Sequence, residues 1–275
     1  MSTIKFSKMH GLGNDFVVID GISQSVHLKK SMVKQWADRH VGIGFDQLLL
    51  ILPSKKADFS CAIFNSDGTS AEQCGNGIRC AARFIYDKGL LRKKSMTIET
   101  AKDVLEALIE KDETIRVNMG MPRFEPSDVP FAASHLQHLY EIPLEEGQPG
   151  LALAVLSMGN PHAILQIEAI ENFPVTKFGP LISTHQWFPE GVNVGFMEVV
   201  SSSHIRLRTF ERGAGETLAC GSNACAAVVS GINNHLLENK VKVELPLGNL
   251  WVSWEGEKNP VVLSGPAEYV FSGEI

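Results

Sequence analysis

Two segments of this 275-residue chain are variants of one pattern, and the second follows the first by 146 positions. Phe64-Asn65-Ser66-Asp67-Gly68 leads through Gln73 to Cys74-Gly75-Asn76-Gly77 and then Ala81-Ala82. Phe210-Glu211-Arg212-Gly213-Ala214-Gly215 leads through Ala219 to Cys220-Gly221-Ser222-Asn223 and then Ala226-Ala227. Each cysteine stands ten residues after a Phe and directly before a Gly. The same offset relates Gly13-Asn14 to Gly159-Asn160 and Gln47 to Asn193. Isolated Gly and Ala matches arise by chance; a set at constant offset that includes both Cys-Gly pairs points to duplication. The period is too long for a solenoid and predicts two similar domains.

The order of elements repeats as well. Short β-branched or aromatic runs at Ile4 to Lys8, Phe16 to Asp20, Gln47 to Leu52 and Phe59 to Asn65 read as strands. A helix is expected near Ser31, with Met32, Val33 and Trp36 on one face, and another from Asn76 to a C-terminal glycine at Gly89. Strands follow near Met96 to Glu99, Val104 to Ile109 and Ile115 to Asn118. In the second half, strands at Val192 to Val200 and Ile205 to Phe210 precede a helix from Ser222 to Asn234. Strands at Val241 to Leu245, Leu250 to Trp254 and Val261 to Leu263 follow it. Arg123 to Gly150, with four prolines and weak patterning, reads as a crossover.

With 44% hydrophobic and 20% charged residues the chain can bury full cores. A net charge of −6 argues against bulk nucleic-acid binding and gives no basis for membrane association. Met1 to Phe16 has no apolar stretch of signal-peptide type, so a cytoplasmic protein is expected. Five cysteines, Cys61, Cys74, Cys80, Cys220 and Cys225, make a poor disulfide framework, and their spacings match no common zinc site. Cys61 alternates with apolar neighbours as a buried strand residue does, and Cys80 and Cys225 fall inside helices as core. No metal and no cofactor are expected.

Cys74 and Cys220 fall at predicted helix starts. There the macrodipole favours thiolate, and free N–H groups can grip a carboxylate. A carboxylate so held is polarised, and the hydrogen on the adjacent carbon becomes easier to remove. One thiolate taking that proton, with a second thiol returning one to the opposite face, inverts the carbon. The pattern therefore suits racemisation or epimerisation.

Four motifs, in order and spread over essentially the whole length, give this chain a close resemblance to the diaminopimelate epimerase family. They are Lys8-Met9-His10-Gly11-Leu12-Gly13-Asn14-Asp15-Phe16, Asn65-Ser66-Asp67-Gly68 through Cys74-Gly75-Asn76-Gly77-Ile78-Arg79-Cys80, Met158-Gly159-Asn160-Pro161-His162, and Glu211-Arg212-Gly213-Ala214-Gly215-Glu216-Thr217 through Ala219-Cys220-Gly221. The resemblance implies an α+β fold of two pseudo-symmetric domains, each a curved sheet or barrel around a central helix, with the site in the cleft between them. Residues 1–118 would form the first domain, joined by a last strand at 265–275, and residues 119–264 the second. It implies a cofactor-independent enzyme of lysine and peptidoglycan precursor biosynthesis that interconverts LL- and meso-2,6-diaminopimelate, built as a homodimer.

By the same resemblance Cys74 and Cys220 are the base and acid, and His162 and Glu211 tune the thiols. The substrate's second, non-reacting amino-acid centre must also be read. Arg212 can fork onto its carboxylate. Asn14, Gln47, Asn65, Asn76, Asn160 and Asn193 supply neutral donors and acceptors, as Glu211 supplies an acceptor for an ammonium. Gly75, Gly221 and Ser222 bring backbone N–H groups to the carboxylate. Taken singly, each Asn is more often a turn or cap residue. Arg79 and Arg83 read as structural or solvated helix residues. One departure is Asn223, where many members carry Gly.

Other readings compete, among them a two-lobed binding protein that closes on an amino acid; phenazine-type isomerases share the fold but lack the cysteine pair. Proline racemase and hydroxyproline epimerase use a similar cysteine pair on a ring that has no distal centre for Arg212 and the asparagines to hold. A redox protein would join Cys74 and Cys220 in a reversible disulfide.

Overall fold

The computed structural model describes residues 3–71, 75–143 and 150–275. Cys74 lies outside the described residues. The chain forms two compact units, Met1–Asn118 with Ser264–Ile275, and Met119–Leu263.

The first unit contains β1 (Lys5–Gly11), β2 (Asn14–Asp20), α1 (Lys30–Ala37), β3 (Gln47–Leu52), β4 (Phe59–Asn65), β5 (Ser70–Ala71), α2 (Gly75–Asp87), β6 (Ser95–Glu99), β7 (Val104–Ile109) and β8 (Ile115–Asn118). β1 and β2 pair antiparallel, β2 and β3 parallel, β3 and β4 antiparallel, and β4 and β6 parallel. β6, β7 and β8 continue antiparallel. The sheet curls round α2, which touches β1, β2, β3, β6, β7 and β8. That position explains why α2 buries Asn76 through Ala82 without a break, then Phe84 and Ile85, where a surface helix would bury one stripe. Ala81 and Ala82, both fully buried, keep the helix slim enough for strands on several sides. The opposite face of β2 and β3 packs Val17, Ile19, Leu48 and Leu50 against Val33, Trp36 and Ala37 of α1.

The second unit contains β9 (Tyr140–Ile142), β10 (Leu151–Ser157), β11 (Pro161–Gln166), α3 (Val175–Ser183), β12 (Asn193–Ser201), β13 (His204–Glu211), β14 (Gly215–Thr217), α4 (Gly221–Asn233), β15 (Lys240–Leu245) and β16 (Gly248–Ser253). β10 to β16 repeat the pairing of β1 to β7: antiparallel, parallel, antiparallel, parallel, antiparallel. α4 touches β10, β11, β12, β13, β15 and β16. β17 (Val262–Gly265) leads out of this unit, and β18 (Glu268–Glu274) pairs antiparallel with β1 in the first.

The duplication extends to individual residue pairs. Phe16 faces Gln47 as His162 faces Asn193, and Leu48 faces Phe64 as Val194 faces Phe210. β5 and β14 fold back on β4 and β13 in matching register, Phe64 to Ser70 and Phe210 to Glu216. The offset slips by one after the helix, since Ser95 pairs Leu108 where Lys240 pairs Ser253.

α3 seats its Gly179 on the ring of Phe210, where an added Cβ would come within 2.4 Å of Cγ. Gly179→Ala gains about 1 kcal/mol of helix propensity but loses more to the clash. A net destabilisation of about 1–2 kcal/mol is expected in denaturant unfolding at unchanged slope. An unchanged or raised midpoint would show that Phe210 moves freely.

Candidate active site

In the second unit the predicted residues converge at one end of the sheet, around the first turn of α4. Cys220 is the N-cap of that helix and is 7% exposed. Its thiol lies 3.5 Å from the Ser222 hydroxyl, and the Glu211 carboxylate at the end of β13 is within hydrogen-bonding reach. Thr217 of the folded-back β14 donates its hydroxyl to Glu211 Oε1 at 2.6 Å, fixing that carboxylate. A helix start alone favours thiolate, but here burial pushes the Cys220 thiol well up and the Glu211 charge adds to it. The Ser222 hydroxyl and the Asn223 N–H act the other way and do not prevail. Cys220 thus rests protonated, the reverse of what the dipole argument suggests.

His162 on β11 is fully buried, and its Nε2 lies 3.0 Å from Asn160 Oδ1. Burial lowers its pKa to about 3, with the Arg212 charge adding to the effect. Its parallel partner Asn193 accepts the Arg212 backbone N–H at 2.9 Å, while the Arg212 guanidinium donates to the Glu190 carbonyl at 2.6 Å. Arg212 is exposed, so its fork remains open to a ligand. Gly221 and Ser222 form the first turn of α4. The unit thus gathers Asn160, His162, Asn193, Glu211, Arg212, Cys220, Gly221 and Ser222.

The first unit gathers Asn14, Gln47, Asn65, Gly75 and Asn76 at the matching end of its sheet. Asn76, 3% exposed in the first turn of α2, donates to Asn14 Oδ1 at 3.1 Å. Gln47 donates to Asn65 Oδ1 at 3.0 Å, and Asn65 donates to Thr69 Oγ1 at 3.1 Å. The residues that anchor Asn14 were not among the site residues singled out from the sequence. Its Nδ2 donates to Asp46 at 2.9 Å, and the Asp46 N–H donates to Asp15 at 2.9 Å. Arg39 bridges both carboxylates at 2.8 Å. Lys8, its ammonium almost buried, pairs with Asp15 at 2.5 Å and donates to the Gly44 carbonyl. These charges hold the β1–β2 turn, where Leu12 and Gly13 adopt positive φ. Asp46 directly precedes Gln47, and that adjacency was the available signal. Arg79 is wholly buried and donates Nε to the Pro266 carbonyl, while Arg83 pairs with Asp87 at 2.6 Å; both are structural.

Among the described residues no three His, Cys, Asp or Glu side chains group as metal ligands, and no helix is long and apolar enough to cross a membrane.

The model of the family described as diaminopimelate epimerase matches residues 6–125 and 154–270. The chain belongs to the diaminopimelate epimerase family. It is 51% identical over 273 residues to a diaminopimelate epimerase of Nitrosomonas europaea, covering 99% of this chain and 98% of that one. It is 49% identical over 274 residues to one of Ectopseudomonas mendocina, covering 99% of both. Among solved structures, the fold is shared with a hydroxyproline epimerase of Agrobacterium vitis carrying trans-4-hydroxy-L-proline. The TM-score there is 0.71 at 12% identity, covering 99% of this chain and 92% of that one. It is shared also with a PhzF-family phenazine biosynthesis protein of Bacillus anthracis, at a TM-score of 0.69 and 18% identity, covering 100% and 99%.

The Asp15 anchor makes a pH prediction. Burial pushes this carboxyl up, but hydrogen bonds and charges from Arg39 and Lys8 outweigh it and hold the pKa at about 2. A depressed carboxyl stabilises the fold above its unfolded pKa, and the contribution fades as pH falls through the folded one. Asp15→Asn should cost about 3 kcal/mol at neutral pH, leaving Lys8 buried without its charge partner. The gap between variant and wild type should close from about pH 4 to pH 2 in urea titrations. A gap that does not vary with pH would remove the ion pair as its cause.

Proposed function

We propose that this chain interconverts LL- and meso-2,6-diaminopimelate without a cofactor, moving one proton at a single α-carbon with Cys74 and Cys220 as the base and acid on its two faces. The observation that carries the reading is identity near one half to diaminopimelate epimerases along 99% of the chain. The surroundings of Cys220 support its share. A buried thiol held protonated is an acid ready to deliver its hydrogen. In the opposite direction Cys220 must first lose that proton, and Glu211 stands where it can be received. The N–H groups of Gly221 and Ser222 face the developing negative charge on the substrate carboxylate, with Gly75 and Asn76 as their counterparts at α2. Asn14, Gln47, Asn65, Asn160, Asn193, Glu211 and Arg212 bind the two amino-acid centres, with Arg212 on the distal carboxylate.

The two units are read as duplicated domains, and the protein as a cytoplasmic homodimer. An apolar exposed stretch on β18, Tyr269, Val270 and Phe271, is consistent with a covered face.

Proton NMR of LL-diaminopimelate with the reduced protein in D2O should show the meso isomer with deuterium at one α-carbon. Cys220→Ala and Cys74→Ala should each lower turnover about 10³-fold or more. Retained turnover in both variants would exclude the two-cysteine mechanism. No exchange from folded, reduced protein would overturn the substrate and direct the search to proline analogues.

A further inference from the structure

His162 and Asn223 form a buried polar pair that the reaction scheme above leaves unexplained. Both are fully buried, and among the described residues His162 Nδ1 and Asn223 Oδ1 lack a hydrogen bond of normal geometry. The Asn223 amide is anchored on its other side. Its Nδ2 donates to the Val194 carbonyl on β12 and to Thr209 Oγ1 on β13, each at 3.0 Å. A backbone carbonyl only accepts, so the orientation of this amide is unambiguous and Oδ1 points away from Val194. Oδ1 lies over Gly195: a Cβ built there would come within 2.7 Å of Oδ1 and 2.8 Å of Ile164 Cδ1. Ile164 shares a face of β11 with His162. The Asn223 side chain is within hydrogen-bonding reach of the ring, and with Nε2 taken by Asn160 the nitrogen facing it is Nδ1.

The duplicated half shows that this arrangement is not demanded by the fold. Phe16, Ile63 and Gly77 stand where the second unit has His162, Thr209 and Asn223. There a fully buried Phe ring and a bare glycine hold the matching positions. A fully buried amide and imidazole in their place need a reason beyond packing.

We infer that Asn223 is a positioning residue, whose carbonyl oxygen holds the proton of His162 on Nδ1 and so turns the Asn160 amide. Buried as it is, the ring is neutral at working pH and carries one proton. With that proton on Nδ1, Nε2 presents a lone pair and requires a donor. The two ends of the Asn160 amide are interchangeable in position, so its Nδ2 takes the side facing Nε2. The Asn160 carbonyl then faces outward, where it accepts from an ammonium. A chain from Thr209 through Asn223 and His162 thus fixes the polarity of Asn160. The last link rests on Asn160 binding substrate as proposed above; the tautomer does not.

The test is long-range proton–nitrogen NMR of the full-length protein labelled with ¹⁵N-histidine, the His162 signals being identified by their loss in His162→Gln. At neutral pH the ring should carry its proton on Nδ1. In Asn223→Ala the proton should shift to Nε2 or divide between the nitrogens, and the KM for LL-diaminopimelate should rise about tenfold with a smaller change in kcat. A wild-type ring protonated on Nε2 overturns the inference, and that spectrum decides even if the Ala variant does not fold. An unchanged tautomer in folded Asn223→Ala overturns it as well. An Nδ1 proton in a protein inactive on diaminopimelate would uphold the tautomer while removing the substrate reading.

Discussion

The first turn of each central helix can serve chemistry only because the remainder of that helix cannot move. α4 is enclosed by six strands and buries Ala224 through Val229 completely. Shifting it by even part of a turn would displace close-packed side chains against several strands at once. The thiol of Cys220, the N–H groups behind it and the carboxylate of Glu211 therefore keep fixed relative positions before any ligand arrives. Preorganised dipoles of this kind cost no rearrangement at the moment of reaction. The small residues Ala226 and Ala227, which seem featureless in the sequence, are what let strands close round the helix.

The two units share a backbone plan and differ in buried chemistry. In the second, the polar groups lie under the surface: His162, Asn193, Thr209 and Asn223 are all buried. In the first, Phe16 and Ile63 take the places of His162 and Thr209, and the charged groups Asp15, Arg39 and Asp46 share the polar work. Duplication supplied the same scaffold twice, and each copy solved the problem of holding asparagine side chains by different physics. The second relies on neutral hydrogen bonds in a dry interior; the first adds charge pairs, Asp15 with Lys8 and Arg39, to neutral bonds such as that from Gln47 to Asn65.

Much of this was legible in the residues because period and offset survive in them. The strands from Gln47 to Leu52 and Phe59 to Asn65 have the bounds that alternation and turn residues predict, and α2 and α4 begin at the glycines after the two cysteines. α3 was not legible, since Pro174 is its N-cap and Pro180 lies inside it. Proline normally ends a helix, yet this one sits near the C-terminal end, where packing on β13 outweighs a lost hydrogen bond. β10 and β11 escaped because continuous apolar runs such as Leu151 to Leu156 carry no alternation. The protonation of Cys220 was not legible for a related reason: a helix dipole can be read from sequence position, whereas the burial that outweighs it depends on how the whole unit packs.

β18 has a consequence for how the chain comes to be folded. It completes the sheet beside β1, and the backbones of Ile4 and Ile275 exchange hydrogen bonds at 2.8 and 3.0 Å. During synthesis β1 emerges first and its edge partner follows only after the whole second unit has been made. Until then the nascent first unit presents an unpaired strand edge, while the second has every strand of its own sheet in one continuous segment. The later half can thus settle before the earlier one, whose edge stays open for the span of an entire domain.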